Sequence, residues 1–404
     1  MASRLQQLEK HLTGRSSEKD IKSKNPDDVV VVAAYRSAIG KGFKGGFKDV
    51  NTDYLLTQFL KEFFEKVDID KSVIEEIACG NVLNPGAGAT EHRAAMLAAG
   101  LPYQTPLVAI NRQCSSGLTA VNDVANKIIS GQINVGLAIG VESMSKNYGP
   151  KALGSISNEL KSNTAAAKCM IPMGFTNENV AKKFQISRED QDKFALESFY
   201  KAERAVSQGL FKDEIIPIEL PDGSIIAQDE GPRKGVTFES LQKIKPAFVK
   251  ETGVTTAGNA SQISDGVAGV LLMRRSMAMK LGLEIVGKYV AFQAVGVPPE
   301  IMGVGPAYAI PRVLKDCGLN VNDVDVYEIN EAFAGQAIFC VNHLKIDKKK
   351  LNPRGGAIAL GHPLGCTGAR QVATILRELD AGQIGVVSMC IGTGMGAAAV
   401  FVKE

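Results

Sequence analysis

Apolar residues arrive along this chain in two alternating rhythms. Short unbroken runs such as 29–34 (VVVVAA) predict strands covered on both faces. Between them, apolar positions recur at helical spacing, as over 53–67. This alternation predicts a strand from 29 running into a glycine turn near 42, a helix over 53–67 and a strand over 74–83. A helix over 91–100, a strand over 106–111, a helix over 118–131 stopped by Gly131 and a strand over 133–142 complete the series. Such repetition indicates a layered α/β domain.

From about 146 to 250 the rhythm fails. This stretch is polar, holds one strong helical pattern at 188–209, and carries turn signals at 221–223 and 231–233. It reads as an insertion packed over the first domain. Strand character returns at 267–275, and a second series starts near 283. It comprises 284–296, a helix over 305–318, a strand over 324–330, a helix over 331–344, and an apolar strand at 356–360 entering a glycine loop. A helix over 366–379 and strands over 384–390 and 397–404 end the chain. Each series has a strand that delivers polar residues to a helix start, at 111–117 and at 330–335, which suggests two similarly folded halves. The expected division is 1–28 as arm and linker, 29–145 with 251–282 as the first half, 146–250 as the insertion, and 283–404 as the second half. Within 1–28, residues 4–12 suit a short amphipathic helix and the polar remainder reads as a mobile linker. The segment lacks the apolar core of a secretory signal.

Composition narrows the function classes. With 46 Lys and Arg against 43 Asp and Glu, the net charge of +3 is too even to argue for nucleic acid. The basic cluster at 347–351 reads as a solvated loop. No apolar run is long enough to span a membrane. Seven widely spaced cysteines, an odd number, are not a disulfide framework, and four histidines with no CxxC pair argue against a metal site. A reducing compartment fits and keeps a catalytic thiol available.

Cys114 is the first chemical candidate. It stands between a strand and a helix start, where unpaired N–H groups and the helix dipole favour a thiolate. Ser115, Ser116 and Gly117 leave room for a substrate. His362, flanked by Gly361 and Pro363 before a helix, is the natural base for a thiol. His11, His92 and His343 read as structural. Cys390 enters a glycine-rich turn, 391–396, that is either a phosphate cradle or a nest of N–H groups around a reacting carbonyl. The second reading is favoured, because GTGMG follows neither nucleotide-loop pattern. Asn330 can orient a water or a substrate oxygen, while Glu331 reads as a charge favourable to a helix start. Cys366 rivals the other thiols but faces its own helix. Two thiols and an imidazole suggest an acyl thioester on one cysteine, with the second moving a proton.

Four segments carry a resemblance: 111–117 (NRQCSSG), 330–334 (NEAFA), 360–368 (LGHPLGCTG) and 389–396 (MCIGTGMG). Together, in this order and over essentially the whole length, they resemble the thiolase family. The resemblance implies two similar α/β halves in a five-layered αβαβα arrangement with an inserted loop domain, working as a homodimer. It implies thiolysis of 3-oxoacyl-CoA by CoA to acetyl-CoA and a shortened acyl-CoA, through an acyl-cysteine. Cys114 matches the nucleophile, His362 its base and Cys390 the second acid/base. Asn330 matches the residue that holds a water in one oxyanion hole with His362. The N–H groups of Cys114 and Gly392 match the other hole. The resemblance further implies CoA as co-substrate with no permanently bound cofactor. Ser261, Thr237 and Lys243 match CoA-binding positions, and Met173 an acyl-pocket position. Pro172 stands where short-chain biosynthetic members carry histidine, which favours degradation of longer chains. Arg4, Leu5, His11 and Leu12 fit an N-terminal peroxisomal signal, read by an import receptor. Three other classes remain open on the residues: a condensing synthase, a lipid carrier of the same fold, and a dinucleotide dehydrogenase. The second thiol at 390, the full reactive set and the lack of a first-strand GxGxxG argue against them in turn.

Overall fold

A computed structural model describes residues 17–149 and 155–404. Its centre is one ten-stranded sheet. The path runs Leu107–Ile110, Glu76–Gly80, Val135–Ser143, Ser264–Arg274, Val29–Arg36, then Gly287–Gly296, Met395–Lys403, Ile384–Ile391 and Val326–Ile329. The short strand Gly40–Lys41 pairs with Ser264–Arg274.

Strand pairing reveals a duplication that the amino-acid pattern only hints at. In the first half, Val29–Arg36 is antiparallel to Ser264–Arg274, which is antiparallel to Val135–Ser143, which is parallel to Glu76–Gly80. In the second half, Gly287–Gly296, Met395–Lys403, Ile384–Ile391 and Val326–Ile329 repeat that order and those senses. The halves join where Val30 faces Lys288 and Val31 faces Gly287.

Burial divides the molecule into layers. The strands are almost wholly buried on both faces, as their unbroken apolar runs require. One outer layer holds Thr52–Val67 and Ala89–Ala98; the former buries Leu55, Leu56, Phe59, Leu60, Phe63 and Phe64. The other outer layer holds Gly305–Asp316 and Ala334–Leu344. Between the two halves of the sheet lie Ser116–Ser130 and Thr367–Glu378, whose apolar faces share one cluster with residues of both. Helix, sheet, helix, sheet, helix makes five layers, as expected.

Four local expectations are corrected. Residues 356–360 are not a strand; Ala357–Leu360 is a short helix, because Gln262 holds the carbonyls of Ile358 and Ala359 at 3.1 Å each. A short apolar run does not distinguish the two conformations. The helix expected at 331–344 begins only at Ala334, since Glu331 turns inward to Ser198 and Asn352. The insertion holds a second substantial helix, Met173–Phe184. Finally, 17–28 is not a mobile linker: Glu18–Lys22 is a capped helix, Ile21 is buried, and Asp28 pairs with Arg275 and Lys288. The signal residues Arg4, Leu5, His11 and Leu12 lie outside the described residues.

Candidate active site

Strand Leu107–Ile110 ends at a tight turn that carries Cys114. Gln113 adopts φ 48°, a left-handed conformation costing a side-chain-bearing residue about 1–3 kcal/mol. Local hydrogen bonds hold it there. Asn111 Oδ1 accepts the Gln113 N–H at 3.0 Å, and Ser116 Oγ accepts the Arg112 N–H at 2.9 Å while donating to Gln113 O at 2.7 Å. Helix Ser116–Ser130 starts immediately afterwards. Cys114 is half-buried. Burial pushes its thiol up to about 11, while N–H groups of Gly392 and Cys114 itself, aimed at the sulfur, pull the other way.

Cys390 is fully buried at the end of Ile384–Ile391. Burial holds its thiol well above the ordinary value, and the neighbouring Cys114 adds to the shift. Its apolar companions are Met302, Ala332, Phe333, Met173 and Ala260. The two thiols, the Gly392 N–H and Met173 therefore meet at one place.

His362 comes, like Cys390, from the second half, on a loop entered through Gly361 at φ 112°. Its N–H donates to Gln262 O at 3.1 Å. Nε2 faces Asn330 Nδ2 at 3.2 Å and Nδ1 faces Thr367 Oγ1 at 2.6 Å. Burial, then Arg370, pushes this imidazole down to about 3, so it is neutral at physiological pH. Asn330 Oδ1 is buried and has no hydrogen-bond partner among the described residues. A free acceptor there can hold a water.

Glycine lets the Cys114 and His362 loops touch. A Cβ on Gly117 would stand 2.6 Å from Gly365 O, and one on Gly140 would stand 2.4 Å from it. The His362 loop thus packs directly on the start of the helix that follows Cys114. A carboxylate that the sequence reading passed over locks this contact. Glu142, buried at the end of Val135–Ser143, accepts from Asn81 Nδ2, Val82 N and Gly365 N at 3.0 Å each, and from Leu83 N at 3.3 Å. Register explains its place. Gly80 faces Gly140 as Ile329 faces Ser388, so Asn81 and Glu142 occupy the positions that Asn330 and Cys390 hold in the other half. The one available signal was a carboxylate ending an otherwise apolar strand.

Glu331, expected as a simple helix-start charge, is instead a buried hub that accepts from Ser198 Oγ at 2.6 Å, Asn352 Nδ2 at 2.8 Å and Ile358 N at 3.3 Å. It fixes the segment after Asn330. Cys366 is buried in the central layer, as expected of a helix-facing thiol.

Of the expected binding residues, Met173 stands beside Gly392, its Sδ 3.4 Å from where a Cβ there would lie. Ser261 donates its N–H to Ala332 O at 3.0 Å, alongside the Asn330 loop. Thr237 and Lys243 instead cap the two ends of the exposed helix Phe238–Gln242, and no hydrogen bond or ion pair joins them to the thiols among the described residues. Phe248 escaped the sequence reading. Its ring lies on Gly174, next to Met173, edge-on to Phe175 at 5.9 Å, and both rings are more than a third exposed. They form an apolar ledge outside the thiol cluster.

Known proteins share this architecture throughout. Residues 29–276 match the thiolase N-terminal domain and 283–403 the thiolase C-terminal domain. Peroxisomal 3-ketoacyl-CoA thiolase of Saccharomyces cerevisiae is 67% identical over 417 residues, covering 100% of both chains. Peroxisomal 3-ketoacyl-CoA thiolase B of Rattus norvegicus is 52% identical, covering 98% of each. The crystal structure of the dimeric peroxisomal thiolase of S. cerevisiae superposes with a TM-score of 0.94 at 68% identity, over 96% of this chain and 100% of that one. Human mitochondrial 3-ketoacyl-CoA thiolase in complex with CoA superposes with a TM-score of 0.85 at 36% identity, over 93% and 98%. By both sequence and fold, this chain belongs to the thiolase family.

Proposed function

We propose that this chain is a peroxisomal thiolase that cleaves 3-oxoacyl-CoA with CoA, giving acetyl-CoA and an acyl-CoA shortened by that unit. The observation that carries the proposal is the meeting of Cys114, Cys390 and the Gly392 N–H, together with the His362–Asn330 pair, whose loop packs on the start of the helix that follows Cys114. Full-length similarity to peroxisomal 3-ketoacyl-CoA thiolases supports the substrate and the compartment.

In this reading the resting thiol and imidazole are both neutral, because burial disfavours their charged forms. The proton therefore moves from Cys114 to His362 Nε2 as the sulfur attacks the 3-oxo carbon. The N–H groups of Cys114 and Gly392 stabilise the tetrahedral oxyanion. The C2–C3 bond then breaks, and its electron pair becomes the enolate of acetyl-CoA. The enolate oxygen rests on His362 and a water held by Asn330 Oδ1, and Cys390 protonates C2. After acetyl-CoA leaves, Cys390 takes the proton of an incoming CoA thiol. That thiolate attacks the thioester and expels Cys114, whose sulfur takes back the proton held on His362 Nε2. Met173, Ser261 and the Phe175–Phe248 ledge flank the pantetheine and acyl chain, while Thr237 and Lys243 reach the outer part of CoA. No permanently bound cofactor enters the scheme.

The assembly is read as a homodimer through the sheet edge Leu107–Ile110. That strand is apolar, half-exposed and last in the sheet, with exposed Tyr103 and Leu97 nearby in the chain. Such an edge invites pairing with a second copy. Arg4, Leu5, His11 and Leu12 are read as the import signal bound by a peroxisomal receptor.

The test is CoA-dependent loss of 3-oxoacyl-CoA absorbance with acyl chains from C4 to C16. Turnover persisting beyond C4 is expected. Activity at C4 alone would give the short-chain reading despite Pro172, and none at any length would remove the enzymatic one.

A further inference from the structure

We infer that Thr367 is a positioning residue that sets the tautomer of His362 and thereby makes Nε2 the base; the inference rests on the reading of His362 above. The argument is a proton count. Thr367 Oγ1 lies 2.6 Å from His362 Nδ1 and 3.0 Å from Pro363 O. A hydroxyl at a helix start that donates to the carbonyl four residues back, as Thr367 does to Pro363, places its single hydrogen there. The hydroxyl can then only accept from the ring, and Nδ1 must carry the imidazole hydrogen.

The other ring nitrogen leads to the same answer independently. Asn330 Nδ2 is a donor and faces Nε2 at 3.2 Å, so Nε2 presents a lone pair. One neutral tautomer satisfies both contacts, and its single basic lone pair is on Nε2, where Asn330 Nδ2 faces it. The opposite tautomer would set N–H against N–H at Asn330 and leave Nδ1 facing an oxygen with no hydrogen to give.

Thr367 is itself held rigidly. It is fully buried and opens helix Thr367–Glu378. One turn further, Arg370 Nη1 pairs with Glu328 Oε2 at 3.0 Å, and Gln371 Nε2 donates to Glu328 O at 3.0 Å. Glu328 lies on the strand Val326–Ile329, which leads into Asn330. The helix that fixes one ring nitrogen is therefore bolted to the strand that presents the donor to the other. Such outer hydrogen bonds tune an imidazole without touching substrate.

The test uses the full-length enzyme with Thr367→Val, which keeps the shape and removes the hydroxyl, and Thr367→Ser, which keeps the hydroxyl. For Thr367→Val, kcat should fall on the order of 10–100-fold with KM for CoA within about twofold of wild type. Alkylation of Cys114 by iodoacetamide at neutral pH should slow in parallel and recover only at higher pH. Thr367→Ser should restore both quantities to within about threefold. Wild-type kcat and alkylation in Thr367→Val would overturn the inference. So would a Ser variant as impaired as the Val variant, since packing of the methyl group would then be the cause. If Thr367→Val does not fold, Thr367→Ala is compared with Thr367→Ser by the same readouts. His362→Ala run alongside separates the two levels: wild-type turnover there would sink the base reading itself, whereas a dead His362→Ala beside an active Thr367→Val sinks only this inference.

Discussion

Two buried imidazoles serve different ends. His362 faces Asn330 and Thr367, whereas His92 sits between Cys79 Sγ at 3.5 Å and Thr52 Oγ1 at 3.1 Å, with its ring against Gly88. Burial pushes His92 down to about 4. Below its ordinary value of about 6.5 the unfolded chain takes a proton that the folded chain refuses, so stability falls as pH drops from there toward 4. At pH 5 the loss from His92 is about 2 kcal/mol. Glu142 and Glu328, pushed up to about 7 by burial, act in the opposite direction. The informative quantity is thus a difference: between pH 7 and pH 5, wild type should lose about 2 kcal/mol more than His92→Gln in urea unfolding. Equal losses would remove the assignment. For the nucleophile, intact mass after mixing with 3-oxoacyl-CoA should show an acyl adduct on wild type and none on Cys114→Ala. The candidate residues were legible in the chain because each stands where a strand or short helix gives way to a loop. Glu142 and Thr367 were not, because their meaning lies in partners that are distant or specified only by rotamer.

At the scale of elements, strands buried on both faces were read correctly because their apolar runs are rich in β-branched residues. The failures were of two kinds. The run 356–360 was short enough for either conformation, and a contact from Gln262 decided it. Helix Met173–Phe184 has a mixed polar surface and packs against Pro299–Val304 and Ala334–Leu344, partners that no local pattern reveals. Contact between the helix starts yields a sharp expectation. Gly117→Ala would drive a methyl against Gly365 O and Ala369 N, backbone atoms held in place. It should cost about 1–3 kcal/mol and depress kcat, measured by thermal melting and turnover. The edge strand gives another. Ile77 N–H bonds Pro106 O and Asn81 N–H bonds Ile110 O, so Leu107 and Ala109 turn their backbone groups outward. Ala109→Pro removes one outward donor and should shift the protein from dimer to monomer in light scattering.

The whole molecule is closed by its chain ends. Glu404 pairs with Arg275 and with Lys24 at 3.2 Å, while Asp28 pairs with Arg275 at 3.2 Å and Lys288 at 3.1 Å. This cluster ties the start of the described chain to its last residue and the first half to the second. Buried pairs of this kind are costly to break singly. A double-mutant cycle of Arg275→Met and Glu404→Gln should give a coupling of about 0.5–3 kcal/mol by thermal or urea unfolding. A value near zero would make the cluster incidental. On the same scale, removal of residues 1–16 should leave turnover in vitro unchanged and abolish peroxisomal import in cells.

Apolar period, glycine placement and four short segments are local properties, and they sufficed for the layered α/β class and the family, and they named the candidate side chains. Local energetics dictates those features, because burial of a strand or the opening of a helix is decided within a few residues. Which half supplies which group was decided elsewhere. Cys114 and Asn81 belong to one half, His362, Asn330 and Cys390 to the other, and only the shared strand order and the glycine contacts bring them face to face. The same holds for the neutral state of His362, the orphan oxygen of Asn330 and the donors around Glu142. Desolvation and hydrogen-bond complementarity depend on what surrounds a group in space, and residues far apart in the chain become neighbours only after folding.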